Sequence, residues 1–170
     1  MHKQIQLLFF VLLLTNSHLA TSQTYAIKGT VQQTSPYCGG AKPTQEIIEN
    51  LAIPKPFANK LFYIRQGKKN NTRNKILKKF TTDSNGNFSF KLPKGVYSII
   101  VEEQLQPIKS KDYINRFQTV DDSCLQAWWQ KPYYVLIVQK NNKPLLFTFH
   151  HRCYINNDIP CITYTGPKHP

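Results

Sequence analysis

Acids are scarce in this chain, long apolar runs are almost absent, and no motif of a common catalytic machinery occurs. Nine Asp and Glu stand against 22 Lys and Arg, a formal charge of +13. Basicity of this size favours anionic partners such as glycans, lipid head groups or nucleic acid; a solvated basic surface that keeps the protein soluble is the plain alternative. There is no Gly-x-Ser-x-Gly, no His-Glu-x-x-His, no phosphate-binding Gly-rich loop and no Cys-x-x-Cys. Their absence removes the motif-defined hydrolases, metallopeptidases, nucleotide binders and dithiol oxidoreductases. The acids include Glu102-Glu103 and Asp121-Asp122, but nothing identifies a paired general acid and base. No internal repeat or low-complexity segment is found, and no recognition motif or basic helix points to nucleic acid.

The longest apolar run is Leu7 to Leu14. A membrane-spanning helix needs roughly 20 such residues, and no later segment approaches that length. The run follows Lys3 and precedes Ala20-Thr21-Ser22. This is the charged, apolar and small-residue order of a secretory signal cleaved before Gln23. The expectation is therefore a signal peptide at 1–22 and one mature domain at 23–170, periplasmic or extracellular. Its 148 residues carry a charge of +12 and suffice for a single core. No cysteine lies beside the cleavage site to carry a lipid anchor.

Strand signals dominate the mature chain. Thr81 to Ile100 reads as strand, Asn85-Gly86 turn, strand, Pro93-Lys94-Gly95 turn, strand. Tyr25, Ile27, Gly29 and Val31 alternate with polar neighbours as a first strand. Further strands are expected at 61–64, 76–82, 87–92, 96–101, 133–139 and 145–152. Insertions fill 34–58 and 103–131, and a tail runs over 154–170. Thr44 can cap a short helix with Ile47, Ile48 and Leu51 on one face, and Asp121 or Asp122 can cap another carrying Cys124, Leu125, Trp128 and Trp129. Seven turn-linked strands predict a mainly β chain, a seven-stranded antiparallel sandwich with two short helices in insertions. Strict up-and-down alternation would gather both insertions, the tail and all four cysteines at one end. The polar basic loop 67–75 would lie at the other.

The runs Ile27-Lys28-Gly29-Thr30-Val31, Asn59 to Ile64, Thr82 to Phe90 and Leu92 to Ile99 resemble the carboxypeptidase regulatory-like domain, whose fold is a transthyretin-like sandwich. The resemblance spans roughly 25–101 plus the last two strands. It implies an accessory, non-catalytic module, a type common in exported proteins of Gram-negative bacteria. Tyr37-Cys38-Gly39-Gly40-Ala41 and the tail from His151-x-Cys153 to Pro160-Cys161 are similar to small stand-alone members. A transthyretin-like branch that hydrolyses 5-hydroxyisourate ends in Tyr-Arg-Gly-Ser; this sequence ends Gly166-Pro167-Lys168-His169-Pro170, which argues against that activity.

Cys38, Cys124, Cys153 and Cys161 are an even set in an exported chain and predict two disulfides. Of the three connectivities, the top-end argument favours Cys124–Cys153 with Cys38–Cys161; Cys153–Cys161 with Cys38–Cys124 is the main rival. His151 and Cys153 share a strand face by parity, so half of a soft-metal site is the alternative to oxidation. His150 takes the other face, which makes the adjacent histidines a poor chelating pair. Tyr37, Trp128, Trp129 and His151 are candidate aromatic binding residues at that end. Lys68, Lys69, Arg73 and Lys75 are candidate docking residues for an acidic glycan or lipid. Asp83-x-Asn85 fails the calcium-loop pattern and reads as turn chemistry. Asn70-Asn71-Thr72 is a glycosylation sequon, meaningful only in a eukaryotic secretory pathway. The expected function is a non-catalytic binding or envelope-associated module without a cofactor. Its partners would be an anionic glycan, the envelope surface or another exported protein. The alternatives are a Cys/His metal or redox protein and a hydrolase with a dispersed site.

Overall fold

A computed structural model describes residues 23–154 and 159–167; the expected signal peptide lies outside them. The chain is mainly β, with ten strands, two α-helices and three sheets among the described residues. The first sheet has β1 (Thr24–Thr34) at its centre. On one side β1 pairs antiparallel with β5 (Asn87–Pro93) and, beyond it, with the two-residue β2 (Lys55–Pro56). On the other side it pairs parallel with β9 (Leu145–His150). The second sheet is antiparallel, in the order β4 (Ile76–Thr81), β3 (Leu61–Gln66), β6 (Gly95–Ile100), β8 (Tyr134–Val138). A small third sheet joins β7 (Gln118–Val120) to β10 (Ile162–Tyr164). No helix among the described residues is long and apolar enough to cross a membrane.

The expected seven strands are all present, but three short ones join them and one pairing is not antiparallel. Strict alternation already gives the first and last major strands the same direction. Once they are neighbours in one sheet, their pairing has to be parallel. The Asn85-Gly86 turn forms as read. Asp83 accepts the amides of Asn85 and Asn87 through one carboxylate oxygen, and Gly86 sits at φ +76°, where a side chain is strained.

Alternating residues of both four-stranded sheets meet in one core. Ile27, Val31, Phe88, Phe90, Phe147 and Phe149 from the first sheet face Phe62, Ile64, Phe80, Ile99, Leu136 and Val138 from the second. Six phenylalanines touch in series, and Tyr133 stacks on Phe149 with ring centroids 3.8 Å apart. Gly29 is required where β1 runs closest to its neighbours. A Cβ there would lie 2.5 Å from the carbonyl oxygen of Leu145 and 2.6 Å from Phe88 Cζ.

Both helices start as the sequence indicates. Thr44 caps α1 (Gln45–Ala52) through the amide of Ile47. Asp121 caps α2 (Asp122–Gln130) through that of Cys124. The helices differ in what they cover. Helix α2 buries Leu125 against Ile159, Cys161 and Ile162 in a second, smaller core. Helix α1 buries none of its residues and leaves Ile47 and Ile48 at the surface.

The basic loop departs from expectation in position. It does not sit at the far end from the 103–131 insertion; the two meet on the outer face of the second sheet. Arg65 and Ser98 project from that face, away from the core, yet are 4 % and 0 % exposed. The covering segments are the loop, the 3-10 turn Glu102–Gln104 and the end of α2.

Candidate functional site

The disulfide-bonded end of the first sheet is built by strand direction. The register of β1 and β9 puts Thr34 beside His150, and both strands leave the sheet on the same heading. Three or four residues further on, Cys38 and Cys153 bond, with Cα atoms 5.3 Å apart. The second bond is set by the third sheet. Ile162 lies opposite Val120, so Cys161 is beside the start of α2, where its carbonyl accepts the amide of Asp121. One helical turn on, Cys124 bonds it. The connectivity favoured from sequence, Cys124–Cys153 with Cys38–Cys161, is thereby corrected, and its rival is not formed either. Bringing four cysteines to one end was right in kind, but the partner of each is set by sheet neighbours, and the β1–β9 and β7–β10 pairings leave little trace in local sequence.

Tyr37 separates two cavities at this end. One, of about 440 Å³, is lined by Tyr37, Arg152, Tyr154, Tyr164 and the Cys38–Cys153 bond. Tyr154 donates its hydroxyl to the carbonyl of Cys38 and lies 5.0 Å from the Tyr164 ring. The Arg152 guanidinium donates to the carbonyls of Ile159 and Ile162 at 2.8 and 3.0 Å, which fastens the returning tail to the end of β9. The other cavity, of about 700 Å³, is mostly apolar and is bordered by Pro36, Tyr37, Ile48, Leu51, His150 and His151. His150 Nδ1 lies 2.7 Å from Thr34 Oγ1 and His151 Nε2 lies 2.7 Å from Gln33 Oε1. The two histidines do diverge. Both nonetheless border one cavity, because it opens beyond the last rung of the sheet. Among the described residues no Asp or Glu lines either of these two cavities.

Of the sequence candidates, Tyr37 and His151 come together here. Trp128 and Trp129 do not line either cavity. Trp128 is wedged between the two hydrophobic cores, and the Trp129 indole nitrogen is buried without a hydrogen-bond partner. Cys153, half of the alternative metal site, has its sulfur in a disulfide. Among the described residues no group of three or more His, Cys, Asp or Glu is placed to hold a metal ion. Sequence reading did not single out Arg152, Tyr154 or Tyr164. Their signal was adjacency to Cys153 and Cys161, usable only with the pairing known.

The basic loop is a second built feature. Arg65 donates to the carbonyls of Asn71, Asn74 and Leu105 at 2.8, 2.9 and 2.6 Å. Burial lowers its pKa from the usual arginine value. Asn70 is 2 % exposed, and its amide nitrogen donates to the carbonyls of Gln104 and Trp129 at 2.7 and 2.9 Å. Gln104 in turn donates to Trp128 and Lys131 at 3.0 and 2.7 Å. The loop is therefore fastened from beneath, while Lys68, Lys69, Arg73 and Lys75 are exposed. The sequon acceptor Asn70 is consumed in this network, so a glycan cannot be carried there in this fold. The other displaced ionisations are structural too. Burial raises Tyr97, and burial with nearby Glu103 and Asp112 raises Tyr113. The amide of Cys124, foremost, lowers capping Asp121.

No family model, curated protein or solved structure matches this chain significantly.

Proposed function

We propose that the chain is an exported, non-catalytic β-sandwich module of the transthyretin-like, carboxypeptidase-regulatory type, acting at the cell envelope and holding its ligand at the disulfide-bonded end. The observation that carries this reading is the pair of cavities around Tyr37, on a scaffold fixed by two disulfides. Bonded cysteines suit an oxidising compartment. Rigid loops at one end of a sandwich are the usual place for recognition. Tyrosines present an apolar ring face with a polar tip, which suits stacking against a sugar ring. The metal alternative needs a thiolate beside His151, and the Cys153 sulfur is instead bonded to Cys38, which supports the binding reading. The dispersed hydrolase needs an acid–base pair, and the described residues that line the two cavities around Tyr37 include no Asp or Glu.

The test is a backbone-amide NMR titration with two oligosaccharides, one of alternating uronic acid and N-acetylhexosamine and one its neutral counterpart. Shifts centred on residues 37, 154 and 164 are expected, with a roughly tenfold weaker midpoint for Tyr37→Ala, the size of a modest binding hot spot. Absence of shifts at either cavity with both sugars, or hydrolysis of either sugar, contradicts the reading.

A further inference from the structure

We infer that the loop 67–75 and the start of β4 form a docking surface for an anionic lipid leaflet, an inference that rests on the envelope-associated reading above. Three independent features coincide there. The first is charge. Lys68, Lys69, Arg73 and Lys75 lie on the loop, with Lys78 and Lys79 just beyond, and no acid occurs between Glu49 and Asp83. Among the described residues none of these six side chains has a hydrogen bond or ion pair. Their charge is therefore not neutralised within the fold.

The second feature is rigidity. A cationic tip on a hairpin is ordinarily mobile. This one is held by Arg65 and Asn70 from below and by its own turns. Asn71 accepts the amide of Arg73, Asn74 donates to the carbonyl of Gln66, and Gly67 donates its amide to Val96. Asn70 is buried and Asn74 half-buried, while the four cations are exposed. Little ordering entropy is then left to lose on docking.

The third feature is apolar. The register of β3 and β4 shifts between Ile64 and Arg65, whose partners are Lys78 and Ile76, so Leu77 is the extra residue of a β-bulge. Ile76 is 38 % exposed and Leu77 50 %. Two aliphatic side chains thus emerge amid six cations on an edge strand. A polyanionic glycan has no use for them, whereas a leaflet takes cations at its head groups and aliphatic side chains at the acyl boundary. That combination selects the lipid surface over the glycan.

The experiment is flotation of the mature protein with vesicles of phosphatidylcholine alone or mixed with phosphatidylglycerol. Binding is expected only to the mixed vesicles, weakening with added salt. Lys68→Gln/Lys69→Gln should weaken it about 25-fold, roughly fivefold for each cation near an anionic surface. Ile76→Ser/Leu77→Ser should weaken it while leaving its salt slope unchanged. Lys28→Gln/Lys91→Gln removes equal charge from the outer face of the first sheet, across the core from the loop, and should leave binding within about twofold of wild type, since surface attraction falls off within a Debye length. Equal losses in both lysine pairs, no binding to the mixed vesicles, or indifference to the Ile76/Leu77 change would overturn the inference. The sugar titration is read on the same preparations. If it succeeds while flotation fails, only the leaflet assignment falls; if flotation succeeds while the titration fails, only the Tyr37 reading falls.

Discussion

Asn70→Ala should cost the protein about 2–4 kcal/mol, although the residue lies in a polar loop. The alanine removes both donors from a 2 % exposed position, leaving the carbonyls of Gln104 and Trp129 without them. A buried polar group deprived of its partner costs about 1–3 kcal/mol. Two such groups give about 2–6 kcal/mol. One term works the other way: Asn70 Oδ1 has no partner in the native fold, so its removal relieves a burial cost of similar kind, and the lower part of the range is expected. Asn70→Asp should be at least as damaging, because it replaces the donating nitrogen with an oxygen that faces two carbonyls. Urea unfolding measures the total. Amide hydrogen exchange localises it, with lost protection expected at 67–75, at 102–105 and at the end of α2 before the β1–β5 ladder is affected. If both variants stay within about 0.5 kcal/mol of wild type, as an ordinary surface change does, the loop is not fastened as described.

Three other perturbations have defined outcomes. Cys38→Ser/Cys153→Ser opens a link across 115 residues and Cys124→Ser/Cys161→Ser one across 37; the chain-entropy relation gives losses of about 4.8 and about 3.8 kcal/mol, so the first pair should have the lower urea midpoint. Gly29→Ala should destabilise by about 1–3 kcal/mol, as overpacking does, because its Cβ meets the Leu145 carbonyl and the Phe88 ring; near-neutral unfolding would contradict the close β1–β9 approach. Asp121 has its folded-state pKa lowered below 3.8, chiefly by the Cys124 amide, so its contribution is present above that value and is lost as pH falls through the folded one; Asp121→Asn, still able to cap, should remove this part of the acid dependence, and an unchanged acid profile would contradict it.

The two helix caps, the major strands and the Asn-Gly turn were legible because each is written in a few consecutive residues. Thr44 and Asp121 have only to reach amides three residues on, and the Phe88–Phe90–Leu92 alternation needs only the pleat. What local sequence did not carry is which strand lies beside which. The parallel β1–β9 pair joins residues 116 apart, from Gly29–Leu145 to Thr34–His150; the correct cysteine pairing and both cavities depend on it. The buried face of the second sheet was hidden for a related reason. Arg65, Asn70 and Gln104 are polar side chains that an isolated reading puts at the surface. Only the meeting of two distant segments supplies the backbone carbonyls that let them be buried. Tyr37 and His151 were legible as candidates beside cysteines, but Arg152, Tyr154 and Tyr164 became visible only with the bonds in place.

The proposed function takes the disulfide-bonded end as a scaffold for binding and not as a thiol centre. Peptide mapping of the mature protein, digested without reduction after purification from an oxidising compartment, tests this most directly. Cross-linked peptides joining Cys38 to Cys153 and Cys124 to Cys161, with no thiol open to alkylation, are predicted. Free thiols, or a bond between Cys153 and Cys161, would contradict the account and return the His151–Cys153 end to metal or redox chemistry.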